Sequence, residues 1–238
     1  MNYILYVDQS VATKNLPSET DSNKTSPSPV KPLLEAKSDL VPGVYEGGFK
    51  IWECTYDLLS YLQENSVASC LPKARVLDLG CGAGLTGIFC ALLGATSVTF
   101  QDYNADVING VTIPNYCANN RNQNKLKCKP HFFSGPWNKF CDSIKQYEKS
   151  YDLILTSETI YNTSHYETII DIFDFCLSPS GVILLAAKVN YFGVGGGLRQ
   201  FEDSLNSRNN QRPRWSYKTV KVHGDHVKRE VLEIKRKL

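Results

Sequence analysis

Residues 78–84 combine an acidic side chain with three glycines in a pattern that suits a ligand-binding turn. The run reads Asp-Leu-Gly-Cys-Gly-Ala-Gly, which places glycines at Gly80, Gly82 and Gly84. It lies between an apolar segment, 75–79, and a pattern typical of a helix. Glycine lets the backbone turn tightly and approach a ligand closely, and the start of a helix presents unpaired N–H groups. The sequence therefore predicts a binding loop at a strand-to-helix turn.

The same glycines satisfy the dinucleotide-binding pattern G-x-G-x-x-G over residues 82–87, with Asp102 lying 20 residues beyond Gly82. An NAD-dependent oxidoreductase is therefore one alternative, and a glycine turn without a ligand is another. Asp78 argues against a dinucleotide, because its carboxylate would repel a pyrophosphate but could accept hydrogen bonds from an amino-acid-like ligand. Gly80 argues the same way, since it brings the backbone onto a ligand two residues before the pattern begins.

A second acidic residue, Asp102, ends the next apolar segment and is flanked by Gln101 and Tyr103. A carboxylate accepts two donors at once, which suits the two hydroxyls of a ribose. An isolated Asp could equally cap the following helix. The spacing from the glycine loop favours the ribose, with Gln101 and Tyr103 bordering an adenosine.

Ser157, Glu158 and Tyr161 follow a further apolar segment, 151–156, and could contact a reacting group at the same edge of a sheet. Glu158 could instead cap a helix that begins near Ser164, or bond to the backbone of the glycine loop. Substrate contact and structural support are equally open for it on the residues alone.

Alternating strands and helices are expected to position these residues. Strand patterns lie at 75–79, 97–101, 127–133, 151–156 and 182–187, and helical patterns at 51–63, 85–93, 105–119, 143–149 and 165–176. Four of the strands are apolar enough to be covered on both faces, whereas 127–133 is mixed and is expected nearer an edge. Pro114 should end or kink the helix in which it falls.

The C-terminal region has a different pattern. Segments 217–223 and 227–235 alternate apolar and charged residues around Gly224 and Asp225, which predicts an antiparallel hairpin at the sheet edge. We therefore expect an α/β fold with a doubly wound, Rossmann-like sheet of seven strands, mostly parallel with a C-terminal antiparallel hairpin. Residues 10–40 are polar and lack a period, so we expect a flexible N-terminal arm, 1–40, before a domain over 41–238.

The composition fits one domain of ordinary size, with 238 residues, 42% of them hydrophobic, and a net charge of +2. Residues 199–238 hold 11 Lys and Arg against 5 Asp and Glu, which suits either an acidic partner or ordinary solvated surface. The eight cysteines form no C-x-x-C pair and have no zinc-type histidine beside them. We expect no metal, no secretory signal, no membrane span and a reducing compartment.

Several strings resemble those of known methyltransferases. The D-x-G-x-G-x-G run resembles motif I of class I, seven-strand methyltransferases, and Glu158-Thr159-Ile160-Tyr161 resembles the (D/E)-x-x-Y motif of a group that modifies mainly proteins. Longer strings at 47–55, 101–104, 155–162 and 191–197 are similar to those of the histidine protein methyltransferase family. The similarity extends from about residue 41 onwards.

The resemblance implies methyl transfer from S-adenosylmethionine to the tele nitrogen of a histidine in a large-subunit ribosomal protein, with S-adenosylhomocysteine as product. It implies that Trp52 and Trp137 wall the cofactor, although core packing is the alternative for either ring alone. Glu158 or a nearby carbonyl is expected to hold the second imidazole nitrogen, and Tyr161 to shape the acceptor slot. The implied cofactor-binding residues are Trp52, Glu53, Cys54, Thr55, Asp78, Gly80, Gly82, Gly84, Gln101, Asp102, Tyr103, Gly135, Trp137 and Ser157.

Further expectations follow from the family. The loop 193–197 would gate the substrate, the protein would be a monomer in contact with ribosomal particles, and it would occupy the cytoplasm and nucleus, with the nucleolus as an option. A protein-lysine methyltransferase shares both motifs, and a non-catalytic S-adenosylmethionine-binding module in ribosome assembly is a further alternative. Histidine suits the chemistry because its imidazole, with a pKa of about 6.5, is mostly neutral at pH 7, whereas lysine at about 10.4 must first lose a proton.

Overall fold

A single mixed sheet organises the domain. The computed structural model describes residues 4–6, 11, 16, 28–36, 38–64, 71–120, 126–211, 214–224 and 226–237. Within these residues seven strands have the order β3-β2-β1-β4-β5-β7-β6. Strands β1 to β5 pair in parallel, and β7 pairs antiparallel with both β5 and β6. The strands are Arg75–Leu79, Ser97–Asp102, Lys129–Ser134, Tyr151–Ser157, Leu177–Lys188, Trp215–His223 and Arg229–Arg236, numbered β1 to β7 in chain order. The predicted seven-strand α/β fold is confirmed.

The mixed strand β3 lies at one edge of the sheet, as its composition predicted, and the β6–β7 hairpin occupies the other edge. Asp225 of the predicted turn lies outside the described residues. Strand β5 is longer than predicted because Leu177 already pairs with Tyr151, ahead of a register shift that separates it from the apolar stretch 182–187.

Helices cover both faces of the sheet. They are Lys31–Glu35, Glu53–Glu64, Leu85–Leu92, Ala105–Val107, Ile113–Asn120, Trp137–Ser143, Tyr166–Cys176 and Leu198–Gln211, numbered α1 to α8. One face carries α2 and α3, whose Leu58 and Ile88 are fully buried with Val98 of β2. The other carries α7 and α8, whose Phe173 and Phe201 are fully buried together. The arrangement is the doubly wound one that the alternating pattern predicted.

Two helical predictions need correction. The helix expected at 143–149 lies earlier, because α6 starts at Trp137 directly after Pro136, and only a 3-10 turn follows at Lys145–Tyr147. Helix α8 was not predicted, because its sequence is polar and contributes only Leu198, Phe201 and Leu205 to the core.

Pro114 does not end its helix. It falls near the start of α5, after a π-helical turn over Ile108–Thr112 that joins α4 to α5, and the expected kink stays a prediction. The wider turn lets Thr112 and Asn115 reach the glycine loop: the Thr112 hydroxyl donates to the Gly82 carbonyl at 2.7 Å, and the Asn115 amide donates to the Ala83 carbonyl at 2.9 Å.

Described residues of the predicted arm contact the domain. Leu16 and Val30 are buried in a cluster with Tyr45 and Phe49, and the Leu5 backbone exchanges hydrogen bonds with the Asn119 side chain. The division into an arm over 1–40 and a domain over 41–238 stays a prediction. Residues 1–3, 7–10, 12–15, 17–27 and 37 of the arm lie outside the described residues.

The strand order reverses between β1 and β4, since β2 and β3 extend to one side and β5 to the other. In open α/β sheets the crevice outside the carboxyl ends of strands at such a switch point is the usual ligand site. The residues singled out in the sequence follow β1, β2 and β4, so the fold brings them to this edge.

Candidate active site

A cavity of about 510 Å³ opens at the carboxyl ends of β1, β2 and β4, a size suited to a nucleoside-sized ligand. A segment before α2, residues 42–52 and here called the covering segment, forms one wall. The glycine loop and the loop after β4 form the others. Ten of the predicted residues line it: Trp52, Thr55, Gly80, Gly82, Asp102, Tyr103, Trp137, Ser157, Glu158 and Tyr161.

The glycine loop forms a cradle that only glycine can make. Gly80 and Gly82 have φ angles of +66° and +50°, in the left-handed region that side chains rarely adopt. A Cβ at Gly80 would lie 2.5 Å from Cγ2 of Thr159, and one at Gly82 would lie 3.1 Å from the Gly48 carbonyl. The backbone thus lies directly against the loop after β4 and against the covering segment.

Asp78 does not line the cavity. Its side chain is 2% exposed, and its Oδ2 accepts hydrogen bonds at 2.9 Å from the Thr86 hydroxyl and the Gly87 backbone N–H. Burial raises the pKa of Asp78 to about 7, although these two hydrogen bonds act in the opposite direction. The expected contact with a ligand is therefore corrected: Asp78 holds the first turn of α3 and so shapes the glycine loop.

Asp102 lines the cavity from the end of β2. Its Oδ2 accepts from the Gly82 backbone N–H at 2.9 Å and its Oδ1 from that of Asn104 at 3.2 Å. Burial raises the pKa of this carboxyl to about 6, and the charge of Glu46 adds to the effect. The predicted ribose contact fits this position and stays a prediction.

Gln101 is fully buried behind the cavity wall instead of bordering it. Its Oε1 accepts from Trp137 Nε1 at 2.8 Å and from the Gly80 backbone N–H at 3.4 Å, and its amide donates to the Gly135 carbonyl at 2.9 Å. Gln101 therefore links the glycine loop to the start of α6 and fixes the Trp137 ring, which does face the cavity.

The two tryptophans that face the cavity are held by polar contacts. Trp52 Nε1 donates to the Gly47 carbonyl at 3.1 Å, and Lys50 Nζ lies 4.5 Å from the Trp52 ring centroid. The Trp137 and His165 rings are perpendicular, with their centroids 5.6 Å apart. Both rings are partly exposed cavity walls, so core packing alone does not describe them.

Four more predicted cofactor residues do not line the cavity, namely Glu53, Cys54, Gly84 and Gly135. Cys54 is fully buried in the core, and Glu53 lies 3.2 Å from Lys188 Nζ. Gly84 packs against Thr112, 2.9 Å from where a Cβ would sit. By contrast, Thr55 and Ser157 face the cavity, with their hydroxyl oxygens 3.1 Å apart.

Glu158 has a strained backbone and a buried side chain. Its φ is +58°, unusual for a residue other than glycine and typical of positions under functional constraint. The side chain is 7% exposed, and its Oε1 lies 3.7 Å from Lys188 Nζ. The same oxygen accepts a hydrogen bond from the Cys54 backbone N–H at 3.5 Å. Oε2 is buried and has no hydrogen-bond partner among the described residues. Asn162, not Glu158, caps the turn before α7.

Tyr161 forms a pair with Glu46, which sequence reasoning missed. The Tyr161 hydroxyl donates to the Glu46 carboxylate, and the other carboxylate oxygen accepts from the Gly43 backbone N–H at 2.6 Å. Burial raises the pKa of Tyr161, and the hydrogen bond to Glu46 raises it further. Both residues line the cavity.

A model of the lysine methyltransferase family matches residues 32–193 of the chain. The chain belongs to this methyltransferase family. Curated relatives of the methyltransferase include the histidine protein methyltransferase 1 homolog of Bos taurus, 43% identical in an alignment of 223 residues that covers 84% of this chain and 58% of that protein. The homolog of Dictyostelium discoideum is 45% identical over 204 residues, 85% of this chain and 62% of that protein. The resemblance drawn from the motifs is confirmed.

The methyltransferase spans about three fifths of the length of these relatives. Among solved structures it is similar to magnesium protoporphyrin IX methyltransferase from Synechocystis PCC 6803 with bound SAH, with a TM-score of 0.55. That similarity covers 76% of this chain and 82% of the other at 13% identity, so it shows the fold alone.

The residues that sequence reasoning missed lie mostly in two loops. The string 47–55 pointed to the covering segment but began one residue after Glu46, and His165, the first residue of the predicted helix 165–176, also faces the cavity. The cavity-lining residues outside the predicted set include Glu46, Gly48, Lys50, Thr159, Asn162 and His165.

The loop that follows β5 carries an exposed aromatic ring. Phe192 is 85% exposed, while the base of the loop is held by the Tyr166 hydroxyl, which accepts from the Gly197 backbone N–H at 2.8 Å. The Gly196 backbone N–H donates to the Tyr161 carbonyl at 2.9 Å. The loop 193–197 therefore adjoins the Tyr161 side of the cavity, and its gating role stays a prediction.

In the part of the chain that the structure describes, no three His, Cys, Asp or Glu side chains cluster in a way that could hold a metal ion. None of the described helices combines the length and the apolar character that a membrane span requires.

Proposed function

We propose that this methyltransferase transfers a methyl group from S-adenosylmethionine to the tele nitrogen of a histidine in a large-subunit ribosomal protein. One observation carries the proposal: the glycine cradle, Asp102 and Tyr161 meet in a single cavity of a chain that is 43–45% identical to proteins named as histidine protein methyltransferase homologs. We also propose that it acts as a monomer in the cytoplasm and nucleus, in contact with ribosomal particles.

The residues present fit the proposed cofactor. The backbone at Gly80 and Gly82 adopts a left-handed turn that has no space for a side chain and lines the cavity, and the Asp102 carboxylate can accept from both hydroxyls of a ribose. Trp52 and Trp137 offer flat apolar walls for the methionine and adenine portions. When bound, S-adenosylmethionine supplies an electrophilic methyl group attached to a positively charged sulfur.

The protein's task in such a transfer is to align the acceptor nitrogen and to exclude misaligned approaches. A neutral imidazole already has a lone pair at pH 7, so it needs a partner for its other nitrogen more than it needs a base. Glu46 and Glu158 bring carboxylates to the cavity, and Tyr161 brings a hydroxyl, so acceptors for an N–H are present.

A protein-lysine methyltransferase is the second candidate, favoured by the description of the family model. A lysine acceptor must lose a proton before it can attack, because its pKa lies near 10.4. The two candidates therefore differ in the amino acid that is methylated and in how the rate of methyl transfer depends on pH between about 7 and 9.

The test uses the recombinant chain, methyl-tritiated S-adenosylmethionine and salt-washed large ribosomal subunits from Dictyostelium cells that lack their own homolog. Acid hydrolysis followed by amino-acid analysis should recover the label as tele-methylhistidine in one protein. Label in methyllysine would favour the second candidate. Binding of S-adenosylhomocysteine without incorporation would favour a binding module, and thermal stabilisation by NAD alone would revive the oxidoreductase alternative.

A further inference from the structure

Glu46 occupies the same cavity as the residues expected to contact the acceptor. It comes from the covering segment, 115 residues away from Tyr161 in the sequence, yet its carboxylate accepts a hydrogen bond from the Tyr161 hydroxyl. Tyr161 is in turn packed against Tyr191, with ring centroids 6.4 Å apart. The pair therefore joins the covering segment to the loops that follow β4 and β5.

Hydrogen bonds within the protein hold the backbone around Glu46. The Glu46 N–H donates to Asn104 Oδ1 at 3.1 Å, and the Asn104 amide donates to the Val44 carbonyl at 2.8 Å. The Tyr103 hydroxyl donates to the Gly43 carbonyl, also at 2.8 Å. These bonds hold the covering segment on the end of β2, so the fold itself places Glu46 beside the cavity.

Charge distinguishes Glu46 from Glu158. The Glu158 carboxylate lies beside Lys188, whereas no ion pair formed by the described residues includes Glu46. Glu46 lies near enough to Asp102 for its charge to act on that carboxyl. This end of the cavity therefore carries negative charge that favours an N–H donor or a ligand that becomes positive.

We propose that Glu46 is the residue that binds the acceptor: its carboxylate accepts the N–H of the imidazole nitrogen that is not methylated. Tyr161 acts as a positioning residue that orients the carboxylate. The assignment rests on the proposed histidine methyl transfer. It gives Glu46 the contact that the sequence suggested for Glu158, because the Glu158 side chain is 7% exposed and its charge is paired with Lys188.

The charge balance of the transfer explains why a carboxylate belongs there. The tele nitrogen uses its lone pair to bond to the methyl carbon, and the bond from that carbon to sulfur breaks with both electrons left on sulfur. The positive charge therefore moves to the imidazole ring, where it makes the remaining N–H more acidic. Glu46 stabilises this charge through the hydrogen bond and accepts the proton, which then passes to water and leaves neutral methylhistidine.

The test compares Glu46→Gln, Glu46→Asp and Tyr161→Phe with the wild type and with Glu35→Gln, a control at an exposed glutamate in α1. Calorimetry gives the Kd for S-adenosylhomocysteine, and tritium incorporation into the homolog-deficient large subunits gives kcat and KM. We expect Glu46→Gln to lower kcat about 10- to 100-fold, because an amide can accept the hydrogen bond but not the proton. Its Kd for S-adenosylhomocysteine should stay within about twofold, and Glu46→Asp should recover part of kcat.

Tyr161→Phe keeps the assignment testable if a Glu46 variant unfolds, and it should lower kcat less than Glu46→Gln does. The assignment is overturned if Glu46→Gln keeps the wild-type kcat. It is also overturned if kcat/KM and cofactor affinity fall by the same factor, since Glu46 would then be a cofactor contact. Failure of the proposed function appears separately, in the wild type alone, as label on lysine or no label at all, and either result overturns the assignment too.

Discussion

The Asp102 carboxylate accepts a hydrogen bond from the Gly82 backbone N–H at 2.9 Å, which ties the end of β2 to the glycine loop. The covering segment closes over the same group, since a Cβ at Gly48 would lie 3.0 Å from Asp102 Oδ2. The acid is therefore held where three segments meet. Burial, and then the charge of Glu46, raises its pKa to about 6, against the effect of its hydrogen bonds.

The pKa of Asp102 predicts how cofactor affinity depends on pH. Only the ionised carboxylate accepts from both ribose hydroxyls, and below about pH 6 the free protein holds it protonated. The Kd for S-adenosylhomocysteine should therefore rise as the pH falls from 7 to 5, by up to about tenfold per pH unit below 6. Calorimetry on Asp102→Asn should show weaker binding and a flat profile, whereas the exposed-site variant Asp142→Asn should keep the wild-type profile. An unchanged slope in Asp102→Asn would falsify the assignment.

Asp78 predicts a different pH effect, on stability. Its pKa is about 7 in the fold and about 3.9 in an unfolded chain, so between those values the native state holds a proton that the unfolded state releases. The free energy of unfolding should therefore fall as the pH rises from about 4 to 7, by at most about 4 kcal/mol from this group. Urea unfolding at several pH values should show that Asp78→Asn lacks this component. Parallel curves for the two proteins would contradict the prediction.

The strands were predictable because burial on both faces leaves an uninterrupted apolar run in the sequence. Strand β1 has the predicted bounds, while β2 and β4 each extend one residue beyond the prediction, to Asp102 and Ser157. These polar residues end the apolar pattern but continue the strand pairing, and both face the cavity. The apolar pattern therefore misplaces the ends of these strands, at the residues that line the cavity.

The glycine loop was also predictable, but the roles of its neighbours were not. A carboxylate or amide at a strand end can accept hydrogen bonds from a ligand or from the loop's own backbone, and the same residue type serves both. In the structure Asp78 accepts a hydrogen bond from the backbone of α3, and Gln101 accepts hydrogen bonds from Gly80 and Trp137. Glu46 could not be found by spacing, because its partner Tyr161 is brought to it only by the fold.

Replacement of Gly80 by alanine should separate cradle geometry from backbone strain. Both Gly80→Ala and the control Gly94→Ala place a side chain at a positive φ, which costs about 1–2 kcal/mol. Only Gly80 also meets a clash, 2.5 Å from Thr159, since the nearest atom at Gly94 is 3.8 Å away. We expect urea unfolding to show a larger loss for Gly80→Ala, and calorimetry to show at least about tenfold weaker S-adenosylhomocysteine binding for it alone. Equal affinities of the two variants for S-adenosylhomocysteine would show that the glycine loop at Gly80 does not form part of the cofactor site.

The pair of Glu158 and Lys188 leads to a prediction about a buried charge. Their side chains are 7% and 18% exposed and lie 3.7 Å apart, and Lys188 also contacts Glu53 at 3.2 Å. Burial would lower the pKa of Lys188, but the two carboxylates outweigh it and raise the pKa. Lys188→Met should therefore leave Glu158 buried without its cation, at a cost to stability somewhat below the roughly 3–5 kcal/mol of a fully buried pair.

A double-mutant cycle tests whether the pair acts as a unit. Glu158→Gln removes the charge that Lys188 balances, so adding it to Lys188→Met should restore part of the lost stability, with a coupling of about 0.5–3 kcal/mol in urea unfolding. The exposed control Lys139→Met should show no coupling with Glu158→Gln. Methyl transfer should fall about tenfold in Glu158→Gln, because the loop that carries Tyr161 loses the charge that pairs with Lys188. Full methyl transfer to histidine in that variant would show that Glu158 only supports the fold, while additive stability changes would show that the two charges do not interact.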